Sequence, residues 1–175
     1  PALKENGFLP DFAGLPEATL ARLSAVYICS PSNPEGAVAD QRYWQSLFAL
    51  ADAHDFIVLA DECYADIWFD NPPPCALPIR LAQSGGFRRL LTFHSLSKRS
   101  GLPGLRSGMV AGDEKLIHAF GQKAEIVLHG LKWQTIIHGT QQYLLDIIHL
   151  ALQNLHSRYI NLRYSDIINP LGQLP

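Results

Sequence analysis

Cysteine is scarce in this chain of 175 residues, and no long run of one charge or of apolar residues occurs. Cys29, Cys63 and Cys75 form neither a CxxC pair nor a zinc-ligand spacing, which excludes a sequence-encoded zinc finger or ribbon. Cys29 and Cys63 lie in or beside apolar runs and read as reduced core thiols. The seven histidines contain no HExxH or comparable cluster; His54 reads as a helix-end residue rather than a ligand. A formal net charge of -2 without basic or acidic blocks argues against nucleic acid and anionic membrane as partners. No apolar stretch is long enough to span a bilayer. Residues 1–7 lack the basic and apolar regions of a signal peptide. With reduced cysteines, that points to a cytoplasmic location. Neither internal repeats nor low-complexity tracts are found, and the glycines at 101, 104 and 108 do not have the spacing of a dinucleotide fingerprint.

What is present is an ordinary globular composition, 47% hydrophobic and 17% charged, in a chain long enough for one domain. Strand and helix signals alternate over the first two-thirds. Ala25-Val26-Tyr27-Ile28-Cys29 reads as a buried strand, broken by the turn at 30–36. Asp40 caps a helix reaching about His54, with Tyr43, Trp44, Leu47, Phe48, Leu50 and Ala51 on one broad face. Residues 56–60 form a second buried strand and residues 90–93 a third, with the Pro-rich stretch 70–78 read as loop. A right-handed βαβ unit makes the first two strands parallel. Only about a dozen residues separate Phe93 from the strand-like run 108–111, too few for a full crossover helix, so that last strand is expected to be antiparallel. Asp113 then caps a helix carrying Leu116, Ile117 and Phe120. The fold class is α/β: a mostly parallel sheet with one antiparallel strand, flanked by helices. Gln141 to Tyr164 has neither Pro nor Gly and the spacing of a long amphipathic helix, ended near Pro170.

The richest chemistry lies in the segment Ser95 to Gly108. It holds Ser95, Ser97, Lys98 and Arg106 in one Gly- and Pro-bearing turn directly after an apolar strand. Such a turn can grip a phosphate and present an amine beside it, as a pyridoxal phosphate (PLP) enzyme requires. Ser95 and Arg106 suit the phosphate, one hydroxyl bond and a two-donor guanidinium; Ser97 is a third candidate donor. Lys98 is the candidate for the covalent link and for proton transfer. Its alternative is a solvated surface lysine. Asp61 follows a buried strand at its carboxyl end, where α/β sheets place ligand groups, and can pair with a pyridine nitrogen. Its alternative is a helix cap or turn residue. Asn33 and Tyr64 suit a phenolic oxygen, although Asn-Pro is also plain turn chemistry.

The segments Ser30-Pro31-Ser32-Asn33-Pro34-Glu35-Gly36, Asp61-Glu62-Cys63-Tyr64 and Ser95-Leu96-Ser97-Lys98 with Arg106 together resemble the large domain of the class I/II aminotransferases, the fold-type I PLP enzymes. They occur in the family's order, separated by 28 residues from Asn33 to Asp61, 37 from Asp61 to Lys98 and 8 from Lys98 to Arg106. The chain departs from the family at Glu35, where Thr is usual, and over about residues 121–140. The resemblance implies PLP as cofactor, an amino donor and a 2-oxo acid as small-molecule substrates, and a homodimer of the full-length protein. Residues 93–113 and the upstream Asn6-Gly7-Phe8-Leu9-Pro10-Asp11 are most similar to the succinyldiaminopimelate aminotransferases of bacterial lysine biosynthesis. On this reading residues 1–140 are part of the PLP-binding large domain, and 141–175 lead toward a small domain. An upstream phosphate loop, a stacking ring and a carboxylate-binding arginine are implied but not seen, so the chain is expected to be a large-domain fragment, inactive alone. A C–S lyase on the same fold and a non-catalytic PLP-binding remnant remain alternatives.

Overall fold

The computed structural model describes residues 2–105 and 108–127. Arg106 and the long helix expected at 141–164 lie outside the described residues. The elements are α1 (Glu17–Leu20), β1 (Ala25–Cys29), α2 (Gln41–His54), β2 (Ile57–Asp61), α3 (Ala76–Ser84), β3 (Leu90–Ser95), α4 (Leu96–Arg99), β4 (Gly108–Gly112) and α5 (Glu114–Val127). The strands form a four-stranded sheet in the order β1-β2-β3-β4. β1 and β3 both run parallel to β2, and β4 runs antiparallel to β3. The helices α2 and α3 supply the two crossovers. The short connection after β3 cannot carry the chain back to the sheet's other end, so β4 returns beside it.

Local chemistry sets these boundaries. The Asp40 carboxylate accepts from the Tyr43 N–H at 2.7 Å and starts α2, and Asp55 ends it in the left-handed region at φ 60°. Trp44, Leu47, Phe48 and Ala51 are its buried face. Asp113 accepts from the Lys115 and Leu116 N–H groups at 2.9 and 3.4 Å and so caps α5. Gly112 is required where β4 crosses β3, because its φ is +148° and a Cβ would run into the Leu90 carbonyl.

Several features differ from the sequence reading, which did not include the short helix α1. The loop expected over 70–78 stops at Cys75, and α3 begins at Ala76. Pro78 falls in the first turn, where a helix needs no N–H donor, so proline there does not prevent the helix. The Ser95–Arg106 segment is also not wholly loop: Ser95 starts the single turn α4, which carries Ser97 and Lys98.

Strand alternation divides the core in two. On one sheet face Val26, Ile28, Val58, Ala60 and Leu90 pack against α2 and Ala76 of α3. On the other, Ala25, Leu59, Leu91 and Phe93 pack with Phe120 of α5, beside the partly buried Tyr27 and Val110. Asp61 lies two residues beyond Leu59 on this second face, at the carboxyl end of β2.

An ion cluster closes the opposite, amino end of β3. Arg80 is fully buried, and its guanidinium donates to both Asp52 oxygens at 2.8 Å and to the Arg88 carbonyl at 2.9 Å. It also lies 5.3 Å from the Phe48 ring centroid. Arg89 bonds Asp52 and Asp55. Arg80→Ala is expected to cost about 3 kcal/mol in urea unfolding, the low end for a buried pair because Asp52 keeps 29% exposure. Arg88→Ala, whose side chain is 66% exposed, should cost less than about 1 kcal/mol. Hydrogen bonds and charge from Arg80, helped by Arg88, hold the Asp52 carboxyl down to about 2 against desolvation. A depressed folded-state value contributes stability above the unfolded value of about 3.9 and loses it as pH falls toward 2. Asp52→Asn should flatten that part of the stability–pH curve.

Candidate active site

The ends of β1, β2 and β3 gather polar groups around Asp61. Its side chain is almost buried, at 9% exposure. One oxygen, Oδ2, accepts from the Tyr27 hydroxyl at 2.5 Å, and Oδ1 accepts from the Cys63 N–H at 3.0 Å. The register explains the first bond. Cys29 pairs with Asp61 and Tyr27 with Leu59, so Tyr27 rises on the same face one step back and its long side chain reaches the carboxylate. Burial, and then the Asp61 charge and hydrogen bond, push the Tyr27 phenol well above its ordinary range. Burial first and Asp61 second push the Cys29 thiol up to about 12 and raise the Cys63 thiol likewise. Tyr27, Cys29 and Cys63 are therefore neutral at physiological pH.

Above the carboxylate lies a second set. Asn33 Nδ2 donates to the Tyr64 hydroxyl at 3.3 Å, joining the turn after β1 to the turn after β2. The Asn33 turn is held by Ser32, whose hydroxyl accepts from the Ala37 N–H at 2.9 Å and lies 3.5 Å from Glu35. The departure at Glu35 thus leaves the turn closed. Lys98 is exposed, with its Nζ 5.7 Å from the Tyr64 ring centroid. Ser95 ends β3 and caps α4, its Oγ accepting from the Ser97 N–H at 3.3 Å while its hydroxyl hydrogen stays free to donate. An Arg99–Asp66 bridge of 2.6 Å ties α4 to the chain beyond Tyr64.

Of the residues singled out from the sequence, Asn33, Tyr64 and Lys98 form one chain of contacts. Asp61 ends the neighbouring strand β2, Ser95 ends β3 and Ser97 lies on α4. The sequence reading missed Tyr27, which sits inside an apolar run. Its signal was strand alternation combined with the need of a buried tyrosine hydroxyl for a partner. It also left Glu62 without a role. Glu62 is 2% exposed and faces the other side of the sheet, where it accepts from the Ala76 N–H at 2.6 Å and lies 3.4 Å from His94 Nε2. In the Asp-Glu pair, one carboxylate therefore bonds Tyr27 on one side of the sheet and the other anchors the start of α3 on the opposite side.

The donor set fits a phosphorylated pyridine aldehyde. It offers a buried carboxylate for a ring nitrogen and amide and phenol groups for a ring oxygen. Serine hydroxyls for a phosphate and an amine for an aldehyde complete it. The groups stand at the carboxyl edge of parallel strands, the usual ligand edge of an α/β sheet.

Comparisons agree with this geometry. The family model for "Aminotransferase class I and II" matches residues 1–142, extending through the stretch 121–140. The chain is 36% identical over 120 residues to an LL-diaminopimelate aminotransferase of Dehalococcoides mccartyi, covering 68% of this chain and 30% of that protein. Among solved structures it resembles aminotransferase AspB of Helicobacter pylori, with a TM-score of 0.67 and 35% identity, over 91% of this chain and 40% of that one. A probable N-succinyldiaminopimelate aminotransferase of Thermus thermophilus gives a TM-score of 0.64 at 25% identity, over 85% of this chain and 36% of that one. The chain spans about a third of the length of the curated relatives it matches. Its cleft, its mixed sheet and its sequence lead to the same assignment: the chain belongs to the class I and II aminotransferases.

Proposed function

We propose that the protein carrying this chain transfers an amino group between an amino acid and a 2-oxo acid, with pyridoxal phosphate as cofactor. The supporting observation is the nearly buried Asp61 carboxylate at the end of β2, with the Asn33–Tyr64–Lys98 contacts in the segments that follow β1, β2 and β3. When bound, the cofactor supplies an electron sink that acidifies the substrate Cα–H. The rest falls to the chain. Asp61 would accept from the protonated ring nitrogen. Asn33 and Tyr64 would bond the ring oxygen. Ser95, Ser97 and Arg106 would hold the phosphate. Lys98 would bind the aldehyde carbon and, once the substrate amine has replaced it there, would take and return the proton at the substrate carbon.

The proposed substrates are a diaminopimelate-type amino donor, N-succinylated or free, and 2-oxoglutarate. Support comes from the residue pattern at 93–113 and from relatives named for diaminopimelate aminotransfer. A homodimer in the cytoplasm completes the proposal; among the described residues no helix is long and apolar enough to cross a membrane. The test is a single-turnover assay with the full-length, PLP-loaded protein. Conversion of the cofactor to its amine form by N-succinyl-LL-diaminopimelate or LL-diaminopimelate, together with the matching 2-oxo product, is expected. Release of thiol, ammonia and pyruvate from a cysteine conjugate, without amino transfer, would contradict the reading.

A further inference from the structure

We propose that Tyr27 is a positioning residue for the proposed cofactor-facing carboxylate: its hydroxyl clamps Asp61 in the plane and charge state in which it receives the ring N–H. The inference rests on the role proposed above for Asp61.

The geometry assigns each carboxylate oxygen one fixed donor. Tyr27 holds Oδ2 at 2.5 Å from β1, and the Cys63 N–H holds Oδ1 at 3.0 Å from the turn after β2. Two donors on two different elements stop rotation about the Cβ–Cγ bond. Each oxygen of an ionised carboxylate has a second lone-pair site, so the clamp leaves room for a bond to a ring nitrogen. The Tyr27 ring is packed in the second core cluster beside Leu59 and Phe93, which fixes where its hydroxyl points. Its phenol is pushed upward by burial and by Asp61, so it stays a donor and never competes as a base.

A donor on a carboxylate stabilises the ionised form. With Tyr27 in place, a proton shared between Asp61 and a ring nitrogen sits on the nitrogen. Without it, the carboxylate becomes the better proton holder and the nitrogen loses cationic character. Tyr27 therefore acts on cofactor electronics through Asp61, while the phosphate grip lies on other residues.

The experiment uses the full-length protein and pyridoxal phosphate labelled with 15N in the ring. Wild type, Tyr27→Phe, Asp61→Asn and the double variant are compared by 15N shift and by PLP dissociation constant, with thermal melts as a fold control. Tyr27→Phe removes one hydroxyl from a packed ring. It should keep a near-native melt, move the 15N signal toward neutral pyridine and weaken PLP about fivefold to tenfold, the scale of one ordinary hydrogen bond. In the Asp61→Asn background the same change should have no further effect, because the residue acts through Asp61. Additive effects of the two substitutions, or an unmoved 15N signal in Tyr27→Phe, would overturn the inference. An unmoved signal in Asp61→Asn would instead overturn the role proposed for Asp61 itself.

Discussion

Lys98→Ala in the full-length, PLP-supplemented protein is expected to lose amino transfer by at least roughly 10²–10⁴-fold, the range for removing a positioned proton-transfer group. The loss should be larger if the covalent link to the cofactor is also rate-determining. Lys98 sits on α4, a single turn begun by the Ser95 cap and tied to Asp66 through Arg99. Its amine approaches the face of Tyr64, whose hydroxyl is already bonded by Asn33. Of the other described lysines, Lys4 lies in the N-terminal segment and Lys115 and Lys123 lie on α5. Adding a small alkylamine should restore part of the rate in Lys98→Ala, because the proton-transfer function needs an amine rather than a particular backbone. Full activity of Lys98→Ala in a steady-state amino-transfer assay would contradict the assignment. The fold should be indifferent to this change, since the side chain is exposed.

Asp61→Asn is expected to lower kcat by roughly 10²–10³-fold, the scale of losing one preorganised electrostatic contact, while PLP occupancy falls much less. Asparagine keeps the shape: its one carbonyl oxygen can still accept from the Cys63 N–H, while its Nδ2 faces the Tyr27 hydroxyl and can donate to it, so the local structure survives. What disappears is the charge that stabilises a protonated ring nitrogen. The split between turnover and occupancy is the informative quantity. It follows from the layout, in which the proposed phosphate contacts Ser95 and Ser97 belong to β3 and α4 and not to the strand that carries Asp61. Parallel measurement of kcat and of bound PLP by absorbance checks it. Equal losses of both, or no loss of either, would count against Asp61 as the partner of the ring nitrogen.

Much of the sheet was legible because its strands are short, buried and apolar, bounded by turn residues. The antiparallel course of β4 followed from the length of one connection. Of the three helices the sequence reading missed, α1, α3 and α4, the last two were hidden for opposite reasons. In α3 the prolines at 72–74 and 78 masked a start that Glu62, just beyond β2, stabilises by accepting from Ala76. In α4 the helix is one turn long, too short to show any period. The candidate site was legible where polar residues follow directly on the ends of buried strands, as at Asn33, Asp61, Tyr64 and Lys98. It was illegible at Tyr27, where a polar group hides in an apolar strand and acquires its partner only through register with β2. Glu62 illustrates the same limit. Sequence adjacency to Asp61 says nothing of the opposite sheet faces on which the two carboxylates lie.

The central claim is that the turn after β3 presents Lys98 to the cofactor aldehyde. Borohydride reduction of the full-length protein with pyridoxal phosphate, followed by peptide mapping, tests it directly. The account predicts a single stable phosphopyridoxyl label on the peptide containing Lys98, diminished when PLP is first removed. Label confined to another lysine, such as Lys115 or Lys123, with Lys98 unmodified, would contradict it.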